Sequence, residues 1–319
     1  MTLLSIVLTL VTLSIQCPYE SYAGLKAHWK SVGFAGDGKL VIISRTTGEL
    51  VVWDIAASAE TKIKGLPRVS DGFVLSQNGD ILINDDGPAV SVVDLRNGKL
   101  RFRRASDGLR AGACVSPDGS LVVLPVSDSA ADLLPETGKA ERFASFPGKR
   151  ISCGAFDGTG TIVGFGFSDG AVAVVEVASK RVQTFEQVGH RGEVTALAFS
   201  RDGKTMVTGS EDAQVVVWDI STRKKTTTLA GHNLTVTALQ FGSKGSEFYS
   251  LCAKRGPLKW DTKEWRVSKT YGDLKVGGFS MAVSPDERTL VVAGFRAEIY
   301  DTQSGEVSAI IPIPPKNDE

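Results

Sequence analysis

Short apolar runs that end on an acidic residue recur along the whole chain. Examples are "LVVWDI" at 50–55, "VSVVDL" at 90–95, "QVVVWDI" at 214–220 and "LKWDT" at 258–262. Four or more apolar residues without a polar gap suit a β-strand buried on both faces. Aligning the endings gives Trp53-Asp54, Val93-Asp94, Leu134-Pro135, Val175-Glu176, Trp218-Asp219, Trp260-Asp261 and Tyr300-Asp301, with successive gaps of 40, 41, 41, 43, 42 and 40 residues. The third ending is degenerate but falls on the period.

A second marker runs in phase with the first. Before each ending lies a turn-forming stretch: "AGDGK", "SQNGD", "SPDGS", "FDGTG", "SRDGK", "GSKGS" and "SPDER". Apolar runs on both sides of such a turn predict a β-hairpin. In five units the apolar residue ahead of the turn sits 19 residues before the ending, at Phe34, Val115, Phe156, Phe199 and Phe241. Each unit therefore reads as strand, tight turn, strand, short loop, strand, and a more polar fourth strand such as "RKKTTTL". Four strands per unit of about 40 residues, seven times over, predict an all-β fold: a seven-bladed β-propeller of four-stranded antiparallel blades. The propeller is expected over 24–314, with an apolar segment at 1–23 and a short tail at 315–319.

The fifth unit, "GHRGEVTALAFSRDGKTMVTGSEDAQVVVWDI", and the sixth, "GHNLTVTALQFGSKGSEFYSLCAKRGPLKWDT", resemble the repeats of the WD-repeat β-propellers. In both, the His of a Gly-His pair lies 28 residues before the Trp. The resemblance implies a buried hydrogen-bonded tetrad of His, hydroxyl, Asp and Trp. By position these are His190, Ser210 (with Thr208 as the alternative), Asp212 and Trp218. A buried indole N–H needs an acceptor, a buried carboxylate needs donors, and a neutral imidazole can bridge them. The Trp-Asp ending is thus read as part of a structural clasp and not as a catalytic pair. The sixth unit carries Cys252 and Lys254 where Ser210 and Asp212 stand, so only a partial tetrad of His232 and Trp260 is expected. The first unit keeps Trp53 but has Leu25 in place of the His.

Composition changes this picture little. Thirty-four Gly suit a fold with many tight turns, and 36 basic residues against 36 acidic ones argue against a whole-molecule nucleic-acid or membrane-surface binder. Cys17, Cys114, Cys153 and Cys252 have neither metal-ligand nor disulfide-framework spacing, and the last three are read as buried small apolar residues. The N-terminus stands apart. "LLSIVLTLVTLSI" at 3–15 has the length of a signal-peptide core, and Ser21 and Ala23 offer a cleavage site, although no Lys or Arg precedes the run. The expectation is export or membrane anchoring if 1–23 acts as a signal segment, and a cytoplasmic protein otherwise.

Candidate chemistry is sparse. The chain has three His, two of them in Gly-His pairs, and no pair at metal-ligand spacing. "GFGFSDG" at 164–170 mimics a phosphate loop and contains a G-x-S-x-G match at Ser168, but the apolar run "AVAVVEV" follows where both motifs need a helix. No metal or cofactor is implied, and the chain is read as a non-enzyme.

Function is then expected on loops. Loops entering each inner strand carry Lys26, Arg68, Arg110, Lys149 with Arg150, Arg191 and Lys275. Loops between second and third strands are acidic at Asp85, Asp86, Asp128, Asp169 and Glu211, and turn basic at Lys254, Arg255 and Arg296. The resulting expectation is a scaffold whose rim loops bind a protein or peptide, an acidic one if Lys254, Arg255, Lys275 and Arg296 form a positive sector. The alternative is an exported propeller enzyme or small-ligand receptor using the central channel, which inward-pointing His or carboxylates would favour.

Overall fold

The computed structural model describes residues 29–35, 37–45, 50–63, 66, 72–76, 79–85, 89–105, 109–185, 189–272 and 277–312. The apolar segment 1–23, with Cys17, lies outside them. Twenty-eight strands form seven four-stranded antiparallel sheets, each made of four strands consecutive in sequence. The first begins at Trp29 and the last ends at Ile311, so no blade borrows a strand from the other end of the chain.

Seven buried apolar clusters hold the ring, each shared by two neighbouring blades. One joins Ile42 and Val52 of the first blade to Phe73 and Leu82 of the second. Another joins Val41 and Ile43 of the first blade to Val291 and Ile299 of the last, so the ring closes through side-chain contacts and not through a shared strand. A strand sandwiched between two other blades needs apolar side chains on both pleat faces. That is why Gln214–Asp219 has its valines 215 to 217 fully enclosed, while the outer strand Lys224–Ala230 keeps its Thr and Lys largely in water. Even the degenerate third ending pairs regularly, with Leu121 opposite Pro135 and Val122 opposite Leu134.

The turn after each inner strand repeats in detail. A backbone N–H three residues on bonds the carbonyl at the turn's start in all seven blades, as in Gly203 N–H to Ser200 O at 2.9 Å. The closing residue has positive φ, a region where glycine carries no steric penalty. It is Gly38, Gly79, Gly119, Gly160, Gly203 and Gly245 in six blades, and Glu287 at φ 60° in the seventh. Glu287 is held there by its neighbours: its carboxylate accepts from the Lys244 N–H at 2.7 Å and from the Ser243 hydroxyl at 3.2 Å. In blades one, five, six and seven the acid that ends the apolar run caps the next turn, as where Asp219 Oδ1 accepts from Thr222 N–H and Asp261 Oδ1 from Glu264 N–H.

Hydroxyls on inner strands also tie blades together. Ser152 donates to Val194 O at 2.6 Å, Thr195 to Val236 O at 2.6 Å and Thr237 to Gly278 O at 3.2 Å, while Ser280 Oγ accepts from Val32 N–H across the closure. Cys114, Cys153 and Cys252 are buried free thiols, and burial pushes the Cys153 thiol up to about 12.

Candidate functional site: the clasp face

The clasp of the fifth blade is a directed chain of hydrogen bonds. Trp218 Nε1–H donates to Thr208 Oγ1 at 2.8 Å, and Thr208 Oγ1 lies 2.8 Å from His190 Nε2. His190 Nδ1 lies 3.3 Å from both carboxylate oxygens of Asp212. The indole can only donate, so Thr208 accepts from it. The Asp212 carboxylate can only accept, so a neutral imidazole carries its proton on Nδ1 and Thr208 donates to His190 Nε2. Asp212 also accepts from Arg191 N–H at 2.9 Å and Gln214 N–H at 3.0 Å. Burial works to raise the Asp212 carboxyl, but the bonds from His190 and these backbone amides prevail and hold it at about 2.

The hydroxyl in this chain is Thr208, which corrects the choice of Ser210. Both side chains sit on one strand, Thr205–Ser210, two positions apart and hence on the same pleat face. Only Thr208 is level with the indole, and Ser210 instead accepts from the Asp212 N–H at 3.2 Å. The Gly of the Gly-His pair is explained by the same geometry. A Cβ at Gly189 would stand 2.4 Å from the Trp218 ring, and one at Gly231 would stand 2.8 Å from the Trp260 ring.

The sixth blade is more complete than its sequence implied. His232 Nε2 lies 2.6 Å from Ser250 Oγ, which accepts from Trp260 Nε1–H at 2.7 Å. Ser250 stands ten residues before its Trp, as Thr208 does. Cys252 matches Ser210 and was never the hydroxyl position. What the blade lacks is the carboxylate: Lys254 occupies the place of Asp212 and is exposed. His232 Nδ1 is buried without a hydrogen-bond partner. Burial, aided by the nearby Arg255 charge, lowers the imidazole to about 4. The first blade has Ile43 ten residues before Trp53, and the Trp53 indole N–H is buried without an acceptor.

Charges on this face divide by blade. Around blades four and five, Lys149 pairs with Asp169 at 2.5 Å, and Arg150 pairs with Glu193. Exposed Arg110, Arg191, Asp128 and Glu211 complete a mixed ring there. Asp85 does not belong to it. It is buried, and its carboxylate accepts from Leu109 N–H at 2.7 Å. Over blades six and seven, Lys254, Arg255 and Arg296 are exposed, and among the described residues none forms an ion pair. Arg255 donates to Gly231 O at 2.9 Å. Lys26, Arg68, Asp86 and Lys275 lie outside the described residues.

Toward the opposite face, at the turns that follow the inner strands, the centre of the ring holds a cavity. It measures about 400 Å³ and is walled by Phe34, Leu75, Phe241 and Met281 among others, with Arg201 as the ionisable side chain in its lining. A second, smaller cavity beside it is lined by Phe156, Phe199 and Phe241. Ser168 is a hairpin-turn residue, two before Gly170 at φ 82°, and the strand Val172–Glu176 follows it.

Comparison with known proteins agrees with this architecture. The WD domain, G-beta repeat family matches residues 179–219, the stretch that builds the fifth-blade clasp. The mouse apoptotic protease-activating factor 1 is 34% identical over 82 residues, which are 26% of this chain and 6% of that protein. Telomerase protein component 1 of mouse is 24% identical over 283 residues, covering 86% of this chain and 11% of the relative. Pre-mRNA-processing factor 19 homolog 2 of Arabidopsis thaliana is 30% identical over 198 residues, covering 60% of this chain and 30% of the relative. The chain thus spans a small part of the relatives it matches. With seven four-stranded blades and a repeat at 179–219 that matches the WD domain, the chain is a seven-bladed β-propeller similar to the WD-repeat proteins.

Proposed function

We propose that this propeller is a non-catalytic binding platform that takes an acidic protein or peptide on the basic sector over blades six and seven. WD-repeat propellers serve in general as protein-interaction scaffolds. The observation that carries the finer reading is a contrast on one face: Lys149 and Arg150 are ion-paired and Arg110 and Arg191 stand on a face that also exposes Asp128, Asp169 and Glu211, while Lys254, Arg255 and Arg296 are exposed on turns without an acidic residue and are unpaired among the described residues. Unpaired cations on neighbouring loops of a rigid fold raise the local potential and steer an anionic partner. Lys275, in the loop entering the seventh blade, would extend the sector by its place in the sequence.

The test uses an acetylated hexaglutamate peptide and reads its affinity against salt. Lys254→Glu with Arg255→Glu and Arg296→Glu should weaken binding at least tenfold and flatten the salt dependence, with melting unchanged. Lys39→Glu with Lys204→Glu, in turns on the opposite face, should leave both intact. Equal behaviour of the two sets would overturn the assignment.

The channel cavity favours a second reading, in which its apolar walls receive a small ligand. Its size lies at the lower end of the range typical of small-molecule sites, about 300–1,000 Å³. Displacement of an environment-sensitive dye by apolar compounds, lost on filling the cavity with Ser243→Trp, would support it.

A further inference from the structure

The sixth blade has lost its clasp carboxylate but kept the donors that surround one. In the fifth blade Asp212 answers three N–H groups: His190 Nδ1–H, Arg191 N–H and Gln214 N–H. Their counterparts forty-two residues on are His232 Nδ1, Asn233 N–H and Gly256 N–H. The upstream chain is intact, since Trp260 donates to Ser250 and Ser250 lies against His232 Nε2. In the tautomer that the fifth blade uses, with Ser250 donating to Nε2, the imidazole proton sits on Nδ1, a buried donor with no acceptor. The amides of Asn233 and Gly256 make no hydrogen bond to another described residue either.

An orphaned buried donor costs about 1–3 kcal/mol, and two cations beside it would make its position worse for any group except an anion. Lys254 takes the Asp212 position, and Arg255 is fixed next to His232 by its bond to Gly231 O. Both side chains are exposed.

We propose that a Glu or Asp side chain of the acidic partner completes the sixth-blade clasp, accepting the His232 Nδ1–H while Lys254 and Arg255 neutralise it. Two carboxylate oxygens facing three N–H donors is the arrangement the fifth blade already uses. This inference rests on the acidic-partner reading above and adds a specific seat within it. A partner held only by the field of the sector would leave the imidazole untouched, whereas a seated carboxylate bonds to it.

The experiment follows the His232 ring nitrogens by 15N NMR while acetylated hexaglutamate is titrated into the full chain at low salt. Binding should move the Nδ1–H resonance downfield and raise the apparent pKa of His232 by at least one unit. Lys254→Asp supplies the carboxylate from within. It should show the same imidazole signature without peptide, and should bind hexaglutamate at least tenfold more weakly than Arg296→Asp, which makes the same charge change on the next blade. If the peptide binds, the triple charge reversal abolishes binding, and yet the His232 signals stay still with Lys254→Asp and Arg296→Asp weakened alike, the seat is wrong and the sector stands. Absence of any hexaglutamate binding overturns both.

Discussion

Blades five and six are built on one plan and end it differently. Each passes a glycine over an indole and sets a histidine 28 residues before the Trp and a hydroxyl ten before it. Each runs its hydrogen bonds from indole to hydroxyl to imidazole. Only the fifth terminates on a carboxylate. The sixth stacks its indole on Phe248 instead, with centroids 5.6 Å apart and planes within 8°, and sets Trp265 5.9 Å from the same ring. The difference separates two jobs of the clasp. Hydroxyl and indole fix the interior of the blade, while the carboxylate, at the open end, fixes the loop that faces solvent and can be given up.

The separation is broken first at the hydroxyl, where the largest effect is expected. Thr208→Val keeps the shape but strands two buried groups, the Trp218 N–H and His190 Nε2, at a cost of about 4 kcal/mol. Ser250→Ala should cost a similar amount in the sixth blade, because the same two partners lose their link. Urea unfolding of both variants checks this, and a loss below about 1 kcal/mol in either blade would show that its chain of bonds is not formed.

Acid should separate the two blades by pH. His232 has a folded value of about 4, below its ordinary 6.5, so the unfolded chain takes up that proton first. Its contribution is complete above pH 6.5 and is lost as pH falls toward 4, by at most about 3 kcal/mol. Asp212 is held at about 2 against an ordinary 3.8, so its contribution persists above 3.8 and is lost only between there and pH 2. Burial raises the Glu193 carboxyl, which therefore acts in the same window with the opposite sign, so the His232 part is read as the difference between the parent chain and Lys254→Asp. Lys254→Asp should remove that part by giving His232⁺ a partner. A slope unchanged in Lys254→Asp would assign the upper window to another group.

At the open end the contrast is smaller. Asp212→Ala leaves His190 Nδ1–H and two backbone amides without their acceptor and should cost about 2 kcal/mol. Lys254→Ala, at the matching position, removes an exposed side chain and should cost less than about 0.5 kcal/mol. Equal midpoints for the two in chemical denaturation would erase the distinction between the blades.

Most of the fold was legible because it is written seven times. A period near 40, a turn residue suited to positive φ in six of seven hairpins and apolar runs of strand length leave a propeller as the consistent solution. The clasp was less legible. Thr208 and Ser210 share a pleat face, so residue type and strand position do not separate them; the ten-residue offset that Thr208 shares with Ser250 does. Asp85 read as a rim charge because a loop acid is usually solvated, yet the Leu109 amide draws it inward from the next blade. That contact joins residues 24 apart, and no local pattern announces it. The hydroxyl ties from Ser152, Thr195, Thr237 and Ser280 recur at the blade period but look in sequence like ordinary strand residues. Local periodicity reports what one blade needs, and contacts between blades stay hidden until the ring closes.

The smallest expected effect lies in the first blade and tests the indole itself. Trp53 packs against the cluster shared with the last blade, but its N–H is buried with no acceptor, because Ile43 stands where Thr208 and Ser250 stand in the other two. Trp53→Phe removes apolar area, which destabilises, and also removes an unsatisfied donor, which stabilises. The two contributions oppose one another, and the net change should stay within about 0.5 kcal/mol. Trp260→Phe, at a more deeply buried ring, loses more area together with a satisfied bond and strands Ser250 and His232, so it should cost roughly 2 kcal/mol or more. Measured side by side in urea, the two Trp-to-Phe exchanges set a bonded indole against an unbonded one. A Trp53→Phe loss as large as that of Trp260→Phe would mean that the indole acts through its bulk alone, and that the clasp chemistry shared by blades five and six adds nothing to the stability of either.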